Sequence, residues 1–276
     1  AALLLPNVAA LSDAQCAALR AYAESGGSML ATFETSRYNE WGARRNTPGL
    51  ADLFGFEVTG DLQGPNGNSY YARIEAAHPI LKGFEATKVL PGAEYRLPVK
   101  SSAPLVLSVV APYPAFPPEM VYTKTPRTTE PAVLLRERGA SRLAWFPGDV
   151  DRSLWRSDNG DLSLLLRNTV NWLLNEKRPV TVTGDGMAEL FAWRTEPGYA
   201  IHILNYTNPS MLRGWFRETY PIREQRVRMS LANSASVREV RALRSGKVLP
   251  HHASGDAVEF VVPEVRDYEI AAVFTR

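Results

Sequence analysis

Cysteine is nearly missing from this sequence. The single Cys16 excludes an intramolecular disulfide and any metal site built from several thiolates. Histidine is scarce as well: the four are His78, His202, His251 and His252. None stands at metal-ligand spacing from a carboxylate or the cysteine, so no metal and no cofactor is expected. Charge of one sign is lacking too. The 31 basic and 29 acidic residues leave a net charge of +2, too little to draw the chain to nucleic acid or to an anionic membrane. No apolar run approaches the length of a membrane-spanning helix. No basic leader precedes the first apolar residues. A Gly-x-Ser-x-Gly nucleophile elbow is absent. The Gly26-Gly27 pair closes a helix rather than opening one, so it makes no phosphate loop.

What is present reads as an ordinary globular protein, with 45% hydrophobic and 22% charged residues over 276 positions. That length favours two domains. The chain is organised around residues 3 to 36, which read as strand, helix, strand. Leu3-Leu4-Leu5 is a short continuous apolar run, as in a strand buried on both faces of a parallel sheet. Ser12 stands as an N-cap, with Gln15 three residues on to complete a capping box. Cys16, Leu19, Tyr22 and Ala23 put one helical stripe toward the sheet. Gly26-Gly27 ends the helix, and Ser28 to Thr32 forms the next buried strand. Such a βαβ unit is right-handed, and ligands bind beyond the carboxyl ends of its strands. Those ends carry Asn7 and the segment from Phe33 to Arg37. Because the chain opens directly on a core strand, further residues are expected upstream of Ala1.

Farther along, residues 38 to 46 read as a polar, aromatic loop, and Leu50, Leu53 and Phe54 as a short helix closed by Gly55. Residues 60 to 68 are turns. Strands are expected over 70–74 and 105–110, with a tight segment at His78-Pro79-Ile80-Leu81 between them. Residues 112 to 131 form a proline-rich loop. Residues 132–135 and 142–146 form a hairpin around Arg138-Gly139. A second helix opens at Asn159-Gly160-Asp161 with Leu162, Leu165, Leu166, Val170, Leu173 and Leu174 as its apolar face, and Pro179 forbids its continuation. Beyond it the pattern turns to short alternating runs: 187–194, 199–206, 226–231, 237–243, 257–262 and 268–274. This spacing suits an all-β sandwich. Residues 207 to 225, with Arg213, Trp215, Phe216, Arg217 and Tyr220, read as one long aromatic and basic loop. The expected domains are therefore 1–178, a flavodoxin-like or amidotransferase-like α/β parallel-sheet domain, and 179–276, a β-sandwich.

The chemistry that these residues offer is limited. Cys16 on the buried helix face is an inert small hydrophobe. Ser36 would need a histidine base to act as a nucleophile. Glu34 and Asp149 both follow strands expected to run parallel, which puts both at one sheet edge. With Ser36, Arg37, Trp41, Asp151 and Arg152 they form the candidate ligand-binding set. Acid pairs beside aromatics and arginine suit sugars, whose ring faces stack on aromatics while hydroxyls take the polar groups. The plainer alternative is that Asp149 and Asp151 cap a turn and Arg152 pairs with them.

The runs Leu3-Leu4-Leu5-Pro6-Asn7, Leu11-Ser12-Asp13 and Gly26-Gly27 with its following strand resemble the beta-galactosidase trimerisation domain. Glu34-Thr35-Ser36, His78-Pro79-Ile80-Leu81 and Phe146-Pro147-Gly148-Asp149 fit the same pattern. The stretch from His202 to Asn208 looks like the signature strand of the small sandwich that ends such enzymes, and Val262-Pro263 with Tyr268-Glu269 looks like its close. The resemblance implies a class I glutamine-amidotransferase-like fold. In that fold the nucleophilic cysteine would fall around Phe33, where no Cys or Ser flanked by glycines stands, and the His-x-Glu dyad is missing. No catalytic residue is therefore expected in this chain. The resemblance further implies a catalytic (β/α)8 barrel upstream or in a neighbouring subunit, a homo-oligomer, and carbohydrate as the possible ligand. A free-standing sugar-binding module and a hydrolase acting from the Glu34 and Asp149 cleft are the alternatives. The compartment stays open, leaning to the cytoplasm.

Overall fold

The computed structural model describes residues 2–66, 71–114, 116–175, 178–207 and 218–276. The chain divides into two compact units, Ala1–Lys177 and Arg178–Arg276. Among the described residues no helix is long and apolar enough to cross a membrane.

The first unit contains β1 (Ala2–Leu5), α1 (Asp13–Glu24), β2 (Ser28–Thr32), α2 (Ala51–Phe54), β3 (Glu57–Val58), β4 (Tyr71–Ile74) and β5 (Val89–Pro91). There follow β6 (Val99–Lys100), β7 (Leu107–Val109), β8 (Leu134–Arg138), β9 (Ser141–Phe146), α3 (Val150–Ser157) and α4 (Gly160–Leu173). Its main sheet has the order β1-β2-β9-β8. The first three strands run parallel, and β8 closes the edge as an antiparallel hairpin with β9. Two small antiparallel sheets, β3-β6 and β5-β4-β7, lie outside it.

Side-chain alternation in β2 and β9 feeds two separate cores. Met29, Ala31, Leu143 and Trp145 join Cys16, Leu50, Leu53 and Phe54 on one face. Leu30, Ala144 and Phe146 join Leu162, Leu165, Trp172 and Leu173 of α4 on the other. A strand that must please two cores cannot alternate apolar with polar, which is why Ser28–Thr32 is buried throughout. β1 behaves differently from its expectation. Leu3 and Leu4 are 37% and 48% exposed, because among the described residues β1 is an edge strand with one neighbour, from which Leu5 is buried in one core and Ala2 packs partly against the other.

The helix boundaries follow from caps. Ser12 Oγ accepts from the Gln15 N–H, and Gln15 Oε1 accepts from the Ser12 N–H, closing the expected capping box. Asn159 Oδ1 takes the N–H groups of Asp161 and Leu162 at the start of α4. The inward face of α4 includes Asn168, Thr169 and Trp172 beside the expected leucines. α3 was not expected: its apolar positions are too few to announce a helix. The expectation at Tyr70 lies outside the described residues, as do those at Arg213, Trp215, Phe216 and Arg217.

The second unit contains β10 (Val180–Thr183), β11 (Ala188–Thr195), β12 (Gly198–Asn205), β13 (Ile222–Ser230) and β14 (Val237–Ala242). β15 (Lys247–Leu249), β16 (His251–Ser254), β17 (Ala257–Val265) and β18 (Tyr268–Thr275) complete it. They make two antiparallel sheets, β10-β13-β17-β16 and β11-β12-β18-β14-β15. One apolar cluster takes residues from both, including Val227, Phe260 and Val262 from the first and Ile201, Ile203 and Val273 from the second. β13 begins inside the segment expected to be a loop, because Ile222 is buried in that cluster. The carboxylate of Glu269, 3% exposed, accepts the backbone N–H groups of Arg244, Ser245 and Ile270 and so fixes the turn after β14.

Trp145 is fully buried, with ring centroids 3.5 Å from Phe56 and 6.1 Å from Phe54. Trp145→Ala is expected to lower unfolding stability by about 3–5 kcal/mol, read by urea denaturation. Glu269→Ala leaves three partly buried N–H donors without their acceptor and is expected to cost about 1–2 kcal/mol in the same measurement.

Candidate functional site

The register of the parallel pair sets the site. Thr32 of β2 lies opposite Phe146 of β9, so the segments that follow both strands leave the sheet at the same end. The Phe33 N–H donates to the Phe146 carbonyl at 2.7 Å, which holds the two exits together. Strand β2 then turns sharply. Phe33 and Ser36 have φ of 52° and 64°, and Asn7 at the end of β1 has 45°. These are left-handed conformations that non-glycine residues rarely adopt. Local hydrogen bonds compensate for them. Thr32 Oγ1 accepts from the Asn7 N–H, and Asn7 Oδ1 accepts from the Glu34 N–H. At the tip of this turn Phe33 is buried, 7% exposed.

Two separate charge groups stand at this edge. In the first, Glu34 Oε1 accepts from Arg37 Nη1 at 2.7 Å and from the Tyr38 hydroxyl at 3.2 Å. The Arg37 side chain is 5% exposed and that of Glu34 17%. Ser36 is fully buried. Its Oγ accepts from the Leu50 N–H at 3.0 Å, and its N–H donates to the Val8 carbonyl, so it ties loops together instead of facing a ligand. In the second group, Asp149 is 1% exposed at the position preceding α3. Asp149 Oδ1 accepts from the Tyr95 N–H at 2.8 Å and Oδ2 from Arg152 Nη1 at 2.8 Å. Arg152 Nη1 also donates to Glu94 Oε2 at 2.7 Å, as Arg156 Nη1 does at 2.9 Å. The Arg152 guanidinium lies 5.2 Å from the centroid of the Tyr95 ring.

Among the described residues no hydrogen bond or ion pair joins the Glu34 group to the Asp149 group. The structure bonds Glu34 to Arg37 and Asp149 to Arg152. Trp41 stands alone at 86% exposure, and Asp151 pairs with neither group. Glu94, Tyr95 and Arg156 complete the second group and were not anticipated. Glu94 and Tyr95 precede the sheet exit by some fifty residues, and no local pattern links them to it. The cavity beside this group, bordered by Ala93, Arg96, Phe146, Gly148 and Leu165, has a volume of about 40 Å³. That is room for a few waters and less than a sugar ring requires. Gly148 has no space for a side chain: a Cβ there would stand 2.2 Å from that of Ala93.

Burial pushes the Asp149 carboxyl above its ordinary value, against the pull of the Tyr95 N–H and of Arg152. Burial likewise raises the Cys16 thiol, which is 2% exposed. Among the described residues no three His, Cys, Asp or Glu side chains come together to hold a metal ion.

No family model matches the chain, and no curated protein matches it. Solved structures do resemble it. An alpha-L-fucosidase isoenzyme 2 from Paenibacillus thiaminolyticus shares 19% identity at a TM-score of 0.71, over 100% of this chain and 41% of its own. A beta-galactosidase from Bacillus circulans sp. alkalophilus shares 11% at 0.63, over 99% and 33%. A beta-galactosidase from Rahnella sp. R3 shares 9% at 0.56, over 96% and 32%. At these identities the likeness is one of fold: a mixed α/β unit with a parallel-containing sheet, joined in sequence to antiparallel sheets. The chain spans between about a third and two fifths of the length of these structures.

The raised Asp149 value has a pH consequence. The folded chain keeps this proton to higher pH than the unfolded chain does. The stability it contributes is complete below the ordinary aspartate value and falls as pH rises through the folded value. Relative to Asp149→Asn, the native chain is expected to lose stability as pH rises from about 4. Urea unfolding of both proteins at several pH values reads this difference, and a native chain that gains stability over the variant as pH rises would contradict it.

Proposed function

We propose that this chain is the accessory, non-catalytic part of a carbohydrate-active hydrolase. In this reading the first unit is an amidotransferase-like domain of the trimerisation type and the second a small β-sandwich. Both work beside a catalytic (β/α)8 barrel, supplied upstream or by a neighbouring subunit of a homo-oligomer. The observation that carries the reading is one of extent: the whole chain superposes on a fucosidase and on beta-galactosidases while covering only 32–41% of them.

The site chemistry supports the same reading. A glycosidase needs two carboxyl groups across one bond, roughly 5–10 Å apart, with one free to donate a proton and the other to attack or to activate water. Here Glu34 is bound by Arg37 and Tyr38, and Asp149 by Arg152 and the Tyr95 amide, each within its own group. The sharp turn after β2 carries Phe33 where a nucleophile would stand. Such a site keeps its charges for holding loops.

The 276-residue chain alone is expected to hydrolyse neither nitrophenyl β-galactoside nor nitrophenyl α-L-fucoside. Turnover that disappears in Glu34→Gln or Asp149→Asn would replace this reading with a hydrolase acting from the sheet edge. The natural polypeptide, weighed intact, is expected to exceed this chain by at least the roughly 250 residues of a barrel, unless the barrel belongs to a separate subunit that copurifies with it.

A further inference from the structure

The two sheets of the second unit differ on their outer faces. In β10-β13-β17-β16 the outward rows are Thr181, Arg228, Glu259 and His252, then Thr183, Arg226 and Val261. This is the polar alternation of a sheet that faces water. In β11-β12-β18-β14-β15 the inward residues Leu190, Ile201, Ile203, Ala271 and Val273 belong to the shared core. Their neighbours therefore point outward. The outward rows are Phe191, His202 and Ile270, then Trp193, Ala200 and Ala272, with Leu204 beside them. Phe191 and Trp193 are 44% and 61% exposed. β18 reads Ile-Ala-Ala-Val-Phe from Ile270, a continuous apolar run of the kind found in strands covered on both faces.

Among the described residues Glu189, exposed at the end of this face opposite Leu204, is its one charged residue on β11, β12 and β18, and the neighbouring polar groups are engaged with each other. His202 Nδ1 is hydrogen-bonded to the Tyr268 hydroxyl, and Arg241 pairs with Glu239 at 2.9 Å. A sugar surface needs free polar groups converging on hydroxyls, so the chemistry favours protein. Three strands about 4.8 Å apart, over seven residues at about 3.4 Å each, give a face of about 300 Å². A stable pair of untethered proteins buries about 800 Å² on each side. Contacts between domains of one chain start at about 600 Å² in total, which this face supplies as one half. A covalent linker makes up the remainder by raising effective concentration.

We propose that the outer face of β11, β12 and β18 is the surface on which the catalytic domain of the same polypeptide docks. This rests on the function proposed above. The test is hydroxyl-radical footprinting, read by mass spectrometry, on the 276-residue chain and on the full natural polypeptide. Phe191 and Trp193 are expected to label at least five-fold more slowly in the full polypeptide, while His252 on the other sheet labels equally in both. Equal labelling of Trp193 in a polypeptide that does contain a catalytic domain would overturn the docking surface and leave the proposed function standing. A polypeptide without such a domain would overturn the docking surface, and it would overturn the proposed function as well where no catalytic subunit copurifies. Protection of Trp193 in the 276-residue chain that grows with its own concentration would assign the face to a second copy. Protection by added galactobiose would assign it to carbohydrate. Either result would overturn the inference.

Discussion

The parallel contact between β2 and β9 is the constraint on which the first unit depends. Each strand sends alternate side chains into a different core, so neither can shift by one residue without exchanging its two sets of neighbours. Met29 and Trp145 would then move from the α1 and α2 side to the α4 side, where Leu30 and Phe146 now sit. The same register aligns Thr32 with Phe146 and brings the exits of both strands to one edge. The geometry of that edge follows from core packing, before any side chain of the edge is considered.

The charges at the edge then answer a local problem. A buried carboxylate is costly unless it is paired and hydrogen-bonded. Asp149 meets that demand with a backbone N–H, a guanidinium and the Ser153 hydroxyl, and Glu34 with a guanidinium and a phenol. The strained residues Asn7, Phe33 and Ser36 are held by hydrogen bonds that close on neighbouring loops. Perturbed groups and backbone strain often mark active sites. Here Asp149 and the three strained residues have their partners close to the sheet edge, while Asp151 Oδ1 and Arg96 Nε are buried without one, and the cavity beside Asp149 is too small for a sugar.

Much of this was legible in the sequence wherever the signal is local. The Ser12 and Gln15 box, the Asn159 cap, the β8 and β9 hairpin and the left-handed Gly55 that ends α2 each depend on a few adjacent residues. Tertiary contacts escaped it. Leu3 and Leu4 are as apolar as the residues of a central strand, yet neighbour count decides burial, and β1 has one neighbour. Glu94 and Tyr95 meet Arg152 across more than fifty residues. Ser36 carries the same hydroxyl in a cleft as in a core. Only the Leu50 N–H that it accepts shows which of the two it occupies. The short strands β10, β15 and β16 escaped as well, since three or four residues give too brief an alternation to register.

Fold and chemistry answer to different constraints, and the difference has a physical basis. The burial pattern that builds a two-faced parallel sheet tolerates wide change in sequence as long as volume and periodicity are kept, which is how a shared architecture persists at 9–19% identity. A catalytic site has no such tolerance, because it needs specific atoms within hydrogen-bond reach of a substrate. The fold can therefore outlast any chemistry once carried at its sheet edge. In the second unit one sheet alternates polar residues toward water and the other places Phe191, Trp193 and Ile270 outward. An apolar outer face offers no gain to a sheet that stays in water. The docking proposed above would cover it, while the polar sheet of the same unit stays in water.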